Sequence, residues 1–319
     1  MGVTTSVTPD GLVQCLQLLK AGGCRDAEFF ADLYKQIAQA DLASFFKAFP
    51  APAREALGKV VLVPQRGFVP AAACTWEEGG LVQWLAEVPA LEAHYGRYGP
   101  SLQHFFLGIV SVPRVMQGFP PRAYLHALQR LVEQVDAASR QPDAALTGAP
   151  VSGQALLAEV AAVAAEVYVQ LAAACEAAPE AERKAAGESV GNEQLVLLKV
   201  EGHEQPKRLS SMEAWWDADE DLRELPSVTA LALRTHYGAL PGLEEFFVGV
   251  VGVPREITRS ALRDLLSQQT TPAPLTHWGG LGVEDIEDLG TVQTSGDFRP
   301  PDWRPQEEGQ GEGGGGGAG

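Results

Sequence analysis

The chain has 319 residues, 45% of them hydrophobic, and its 24 Lys and Arg against 41 Asp and Glu give a formal net charge of −17. That apolar share can bury a core, which excludes wholesale disorder. The acidic balance argues against nucleic acid as a partner, because a phosphate backbone is held by a basic face. From Glu284 onward, nine acids stand against Arg299 and Arg304, a local balance of −7.

In chain order, "MGVTTSVTPDGLVQCL" carries neither a basic leader nor a long apolar run. This predicts no secretory signal and an intracellular chain, cytoplasmic or nuclear. Met1-Gly2 with Ser6 fits a myristoylation pattern, but no polybasic second signal follows it. No segment approaches 18 uninterrupted apolar residues, which predicts no membrane span.

Leu12, Cys15, Leu16 and Leu19 fall at helical spacing, and Gly22-Gly23 closes that helix. A second helix over "RDAEFFADLYKQIAQADLASFFKAF" is stopped by Pro50 and Pro52. "GKVVLVPQRGFVP" then reads as a strand entering a turn, with "ACTWEE" as its partner strand. Past "PPR", an amphipathic helix gathers Tyr124, Leu125, Leu128, Leu131, Val132 and Val135 on one face. The Pro- and Gly-rich stretch 141–153 reads as a linker.

Beyond it the order repeats. "VYVQLA" at 167 answers "LYKQIA" at 33, "LVLLKV" answers "VVLVP", and "AWWDADED" answers "CTWEE". His-Tyr-Gly recurs at 94 and 236, Phe-Phe-x-Gly at 105 and 246, and Val-x-Val-Pro-Arg at 110 and 251. The helix "SALRDLLSQ" answers "AYLHALQRL". Separations of 134, 142, 141 and 141 residues are too constant for coincidence. The expected fold class is α+β, mostly helical: two tandem helix–hairpin–helix–helix copies, 9–140 and 154–275, then an acidic, Gly-rich, disordered tail, 276–319.

The candidate site is the motif that both copies share: His94, Tyr95, Gly96, Phe105, Phe106 and Pro113, with His236, Tyr237, Gly238, Phe246, Phe247 and Pro254. One reading makes His94 or His236 the general base of a hydrolase-like enzyme, oriented by its Tyr. That chemistry needs a paired acid or a nucleophile. The copies disagree there, since Glu244-Glu245 stand where Gln103-His104 stand in the first. The preferred reading is packing: a helix carrying the Phe pair, ended by Pro113 or Pro254, with the glycines at helix ends. "WWDADED" lacks calcium-loop spacing and reads as a solvated turn with partly buried indoles. Cys15, Cys24, Cys74 and Cys175 have no metal-ligand or disulfide spacing. No nucleotide-binding or nucleophile-elbow motif occurs. No catalytic, cofactor or metal residue is therefore assigned.

The repeated elements, from "LYKQIAQ" through "VVLVP…WEE" and "HYG…FFLGIVSVP" to "YLHALQRL", resemble the region that follows the ATPase domain in plant NO VEIN and sacsin-like proteins. "KRLSSMEAWWDADEDL" and "VVGVPREITRSAL" of the second copy carry more of that pattern. The resemblance covers residues 9 to about 270. It implies an accessory, scaffold-like module that binds proteins, with association to an ATPase or chaperone. The family's ATPase needs an Asn/Glu helix and an Asp-x-Gly-x-Gly loop, and neither is present. The chain is thus expected to be a piece of such a protein or a stand-alone paralogue.

Overall fold

A computed structural model describes residues 9–42, 51–141, 151–199 and 206–268. They belong to one compact unit, Met1–Thr271. The expected tail, most of the expected linker (142–150) and residues 269–275 of the second copy lie outside the described residues.

Helix α1 (Pro9–Ala21) ends as Gly22-Gly23 leads one to expect. Gly23 turns left-handed at φ 72°, letting Cys24 N–H donate to Leu19 O at 3.0 Å and Gly23 N–H to Lys20 O at 3.0 Å. The Asp26 carboxylate starts α2 (Ala27–Leu42) by accepting from the N–H groups of Glu28 and Phe29. The expected end of the second helix, 43–50 with Pro50, lies outside the described residues; Pro52 occupies the first turn of a further helix, α3 (Ala51–Gly58), where its missing N–H costs nothing.

The next expectation is corrected. Strand β1 (Val61–Val63) pairs antiparallel with β2 (Gly67–Val69), in register Leu62 to Phe68. "ACTWEE" is not its partner, because the turn closes at once through Gln65 and Gly67, both at positive φ. Thr75 instead bridges to Ala90 in parallel fashion. Short helices α4 (Leu81–Leu85), α5 (Glu92–Tyr95) and α6 (Pro100–Gln103) follow, then a π-helix, His104–Ile109. Helix α7 (Pro121–Arg140) buries Tyr124, Leu128, Leu131, Val132 and Val135 as the pattern predicts, with Leu125 half-buried.

Helix α8 (Gly153–Ala177) begins on Ser152, whose hydroxyl accepts from Ala155 N–H at 3.2 Å. It is long and apolar enough to cross a membrane by length and composition, although Glu159 and Glu166 interrupt it. Its Val160, Val163, Ala164, Val167, Tyr168 and Leu171 are buried in the fold. Helix α9 (Glu180–Asn192), unexpected from the pattern, leads into β3 (Val196–Leu198), paired antiparallel with β4 (Lys207–Leu209). Strand β5 (Asp217–Ala218) pairs in parallel with β6 (Glu256–Ile257), so "WWDADED" is sheet edge rather than free turn. Its indoles are fully buried, Trp215 at 1% and Trp216 at 4% exposure. Helices α10 (Pro226–Thr229) and α11 (Leu233–Tyr237), a second π-helix at Glu245–Val251 and α12 (Arg259–Gln268) complete the described chain.

Among the described residues the architecture is mostly helical with three two-stranded sheets. Helix α7 lies along α8 and also meets α4 and α9. Gln129 of α7 donates to Glu193 at 2.7 Å, and Arg208 of β4 donates to Asp136 of α7 at 3.1 Å.

Candidate functional site

The Tyr of each His-Tyr-Gly stretch faces inward. Antiparallel pairing consumes the backbone of every second residue of β1 on the β2 side and leaves Leu62 facing away. In a two-stranded sheet that edge must find other partners or remain costly. Two tyrosines supply them. Leu62 N–H donates to the Tyr34 hydroxyl at 3.1 Å, that hydroxyl donates to Val60 O at 3.0 Å, and Tyr95 OH donates to Leu62 O at 2.8 Å.

The same arrangement is found at the second hairpin. Leu197 N–H donates to the Tyr168 hydroxyl at 2.9 Å, which donates to Leu195 O at 2.6 Å, and Tyr237 OH donates to Leu197 O. Burial pushes all four phenols well above their ordinary pKa, so they stay protonated donors.

The Phe pairs pack on these phenols. Phe106 meets Tyr34 at 5.4 Å and Trp76 at 5.7 Å; Phe247 meets Tyr168 at 5.1 Å and Trp216 at 6.3 Å. Phe105 stacks on Tyr34 at 4.5 Å. Two adjacent residues cannot both point straight inward from an α-helix, where they diverge by about 100°. The π-helix solves this with a wider turn, closed by Val110 N–H to Phe105 O and by Gly252 N–H to Phe247 O. All four Phe rings are at or below 2% exposure.

As expected, Gly96 and Gly238 stand at helix ends, closing α5 and α11 at φ −58° and −65°; positive φ comes further along, at Gly99 and Gly242. The prolines differ from expectation. Pro113 and Pro254 do not end the helices. The chain leaves them at Ser111, φ 60°, and at Gly252, φ 82°. The two prolines instead present carbonyls to Trp76 N–H at 2.8 Å and Trp216 N–H at 2.9 Å, which ties each π-helix exit to the Trp strand. Both His94 and His236 are half-buried.

His236 Nε2 sits 2.8 Å from Ala230 O. No carboxylate is within ion-pair distance of His94 or His236 among the described residues. Partial burial lowers the His94 pKa, which favours its neutral form.

Pattern reasoning missed Tyr34 and Tyr168 as half of the arrangement, although both sit in the matched helices. It also missed Asp217. Arg223 at 3.0 Å and Arg234 both bond its Oδ2. Burial raises that carboxyl's pKa, but the bonds from Arg234 and Ala218 N–H and the two guanidinium charges outweigh it and hold the group below the usual carboxylate range. In the corresponding place Glu77 bonds Arg114 at 2.6 Å. Burial pushes the Cys74 thiol up to about 12 and Cys175 to about 11, which makes both poor nucleophiles at neutral pH. Among the described residues no three His, Cys, Asp or Glu side chains gather as metal ligands would.

No protein-family model matches the chain, and neither a curated protein nor a solved structure matches it significantly.

Proposed function

We propose that the chain is a non-catalytic interaction or scaffold module made of two tandem copies of one unit, 9–140 and 154–275. One observation carries the reading: the same backbone bonds form twice with different side chains around them. Trp76 to Pro113 corresponds to Trp216 to Pro254, Glu77 to Arg114 corresponds to Asp217 to Arg255, and Val112 to Phe106 corresponds to Val253 to Phe247. The residues that resembled catalytic machinery are spent on this work. Tyr95 and Tyr237 hold strand edges, and His236 is bonded to a backbone carbonyl.

On this reading the module belongs with the accessory region of NO VEIN and sacsin-like proteins and works beside an ATPase or chaperone inside the cell. The test is turnover. Purified chain, offered ATP and ester, amide and phosphoester probes, is expected to give none that depends on His94 or His236. A rate that disappears in His94→Ala or His236→Ala would overturn the reading in favour of a hydrolase.

A further inference from the structure

Tyrosines close the inner edge of each hairpin, on the β1 and β3 side. The outer edge of the first hairpin is closed by nothing comparable. Leu62 stands opposite Phe68, and the N–H and C=O of Leu62 point to the tyrosines. Those of Phe68 therefore point the other way, out of β2, because directly opposed residues of an antiparallel pair turn the same backbone groups away from each other. Among the described residues neither group of Phe68 finds a partner. Phe68 and Val69 are half-buried, and Gln65 and Arg66 at the turn are exposed.

Two cations flank this edge. Lys20 Nζ of α1 stands 5.6 Å over the Phe68 ring and donates to Lys59 O at 3.0 Å. The Arg25 guanidinium lies against Gly67, 3.9 Å from where a Cβ would stand. Among the described residues neither cation pairs with a carboxylate, and the acids near them in sequence are engaged. Glu55 holds Lys59 at 2.7 Å, Glu28 is 3.6 Å from Arg97, and Asp26 Oδ1 accepts from two N–H groups of α2. At the second hairpin the matching strand residue is Arg208, opposite Leu197, and its guanidinium has a carboxylate in Asp136 of α7, at 3.1 Å. At the first hairpin no described acid fills that role.

We infer that the outer edge of β2 takes an extended segment of a partner protein as a third strand, and that this segment carries two adjacent acidic residues. The inference deepens the interaction-module reading above and rests on it. The partner residue opposite Phe68 donates its N–H to Phe68 O and accepts from Phe68 N–H at its own C=O. Opposed residues share a face and successive residues alternate faces. An acid opposite Phe68 thus meets Lys20, and its neighbour opposite Gly67 meets Arg25. So short a strand offers only one such pair of bonds, and the carboxylates supply the selectivity that backbone pairing lacks. A second copy of this chain fits poorly, because two β2 edges side by side would set Lys20 and Arg25 against like charges.

The test titrates the full chain into a labelled peptide, Thr-Val-Glu-Glu-Val-Thr, read by fluorescence anisotropy, and follows exchange of the Phe68 amide hydrogen by NMR. Saturable binding is expected, with Phe68 exchange slowed about ten-fold or more at saturation. Replacing both Glu by Gln removes the charge; methylating both Glu amides keeps the charge and removes the strand donors. Each change is expected to weaken binding about ten-fold or more. Lys20→Glu/Arg25→Glu should lose the Glu-Glu peptide and gain its Lys-Lys counterpart, which a misfolded variant could not do. No binding of the Glu-Glu peptide overturns the inference. So does binding indifferent to amide methylation, which is an ion contact without a strand, or binding indifferent to the charge reversal, which lies elsewhere. Phe68 protection that appears without peptide as the chain is concentrated would make a second copy the occupant, and overturns it too. Any of these leaves the module reading in place, because that reading falls only to histidine-dependent turnover.

Discussion

The first half of the molecule, up to α7, and the second half, from α8, hold a short hairpin edge in the same way with different surroundings. Thr75 and Trp215 both bridge to the chain ahead of the next helix, at Ala90 and Ala232. In the first half, buried Thr75 accepts from Gln83 Nε2 at 2.7 Å; in the second, an indole fills the position. Near the π-helix the contrast is one of distance. A Cβ on Gly187 of α9 would lie 2.0 Å from Val250 O, whereas one on Gly58 of α3 would come no closer than 3.8 Å to any neighbour. Backbone contacts are common to both halves, and the side chains that fill the remaining space are not. A fold can therefore keep its hydrogen-bond frame while its packing is solved twice by different means.

The comparison can be tested by paired substitutions read by chemical denaturation. Phe106→Ala and Phe247→Ala, both at 0% exposure, are each expected to cost about 3–5 kcal/mol. A large gap between them would break the equivalence. Gly187→Ala is next, at about 3 kcal/mol, because the obstructing atom is backbone and cannot swing aside. Gly58→Ala is expected to be near neutral or slightly stabilising, since a helical Ala makes only ordinary van der Waals contact there, with Ala71 Cβ at 3.8 Å and Val110 O at 3.9 Å. If Gly187→Ala is equally harmless, the tight α9 contact is not real.

Tyr34→Phe and Tyr168→Phe each remove one hydroxyl that serves two buried backbone groups. About 2 kcal/mol is expected from each, and equal losses would sharpen the pairing of the halves. His236→Ala should cost about 1 kcal/mol for its single bond to Ala230 O.

The smallest effect is the pH dependence that Asp217 gives the second half. Asp217 has its folded pKa held down by Arg234 and Arg223, so its contribution is present above the unfolded value and is lost as pH falls through the folded one. Thermal melts of Asp217→Asn should therefore run below the parent at neutral pH and converge with it below about pH 4. A constant difference across that range would remove the role given to Asp217.

Much of the frame was legible in the sequence. The Gly22-Gly23 stop, the α7 face, the Val60–Val63 strand and its answer at Leu195–Leu198 are local patterns, and local geometry enforces them. Other elements left no such trace. Helices α3 and α9 carry mostly Ala, Glu and Gly, and their packing is tertiary: α3 lies against α1, and α9 against the second π-helix, α7 and α8. The partner of β1 was misassigned because "ACTWEE" has strand-like residues, whereas the choice fell to a tight turn through Gln65 and Gly67.

At the candidate site, His-Tyr-Gly and Phe-Phe were visible as a repeated motif, but the motif's direction was not. Which member faces inward depends on the π-helix, and periodicity over so few residues cannot distinguish that helix from an α-helix. The sequence by itself determined the order of the elements, the repetition of motifs and the apolar faces, because these follow from composition and spacing along the chain. Only the tertiary structure decided what the tyrosines hold. Their acceptors, Val60, Leu62, Leu195 and Leu197, offer backbone carbonyls 26 to 40 residues away, and a carbonyl has no side chain by which a sequence could mark it.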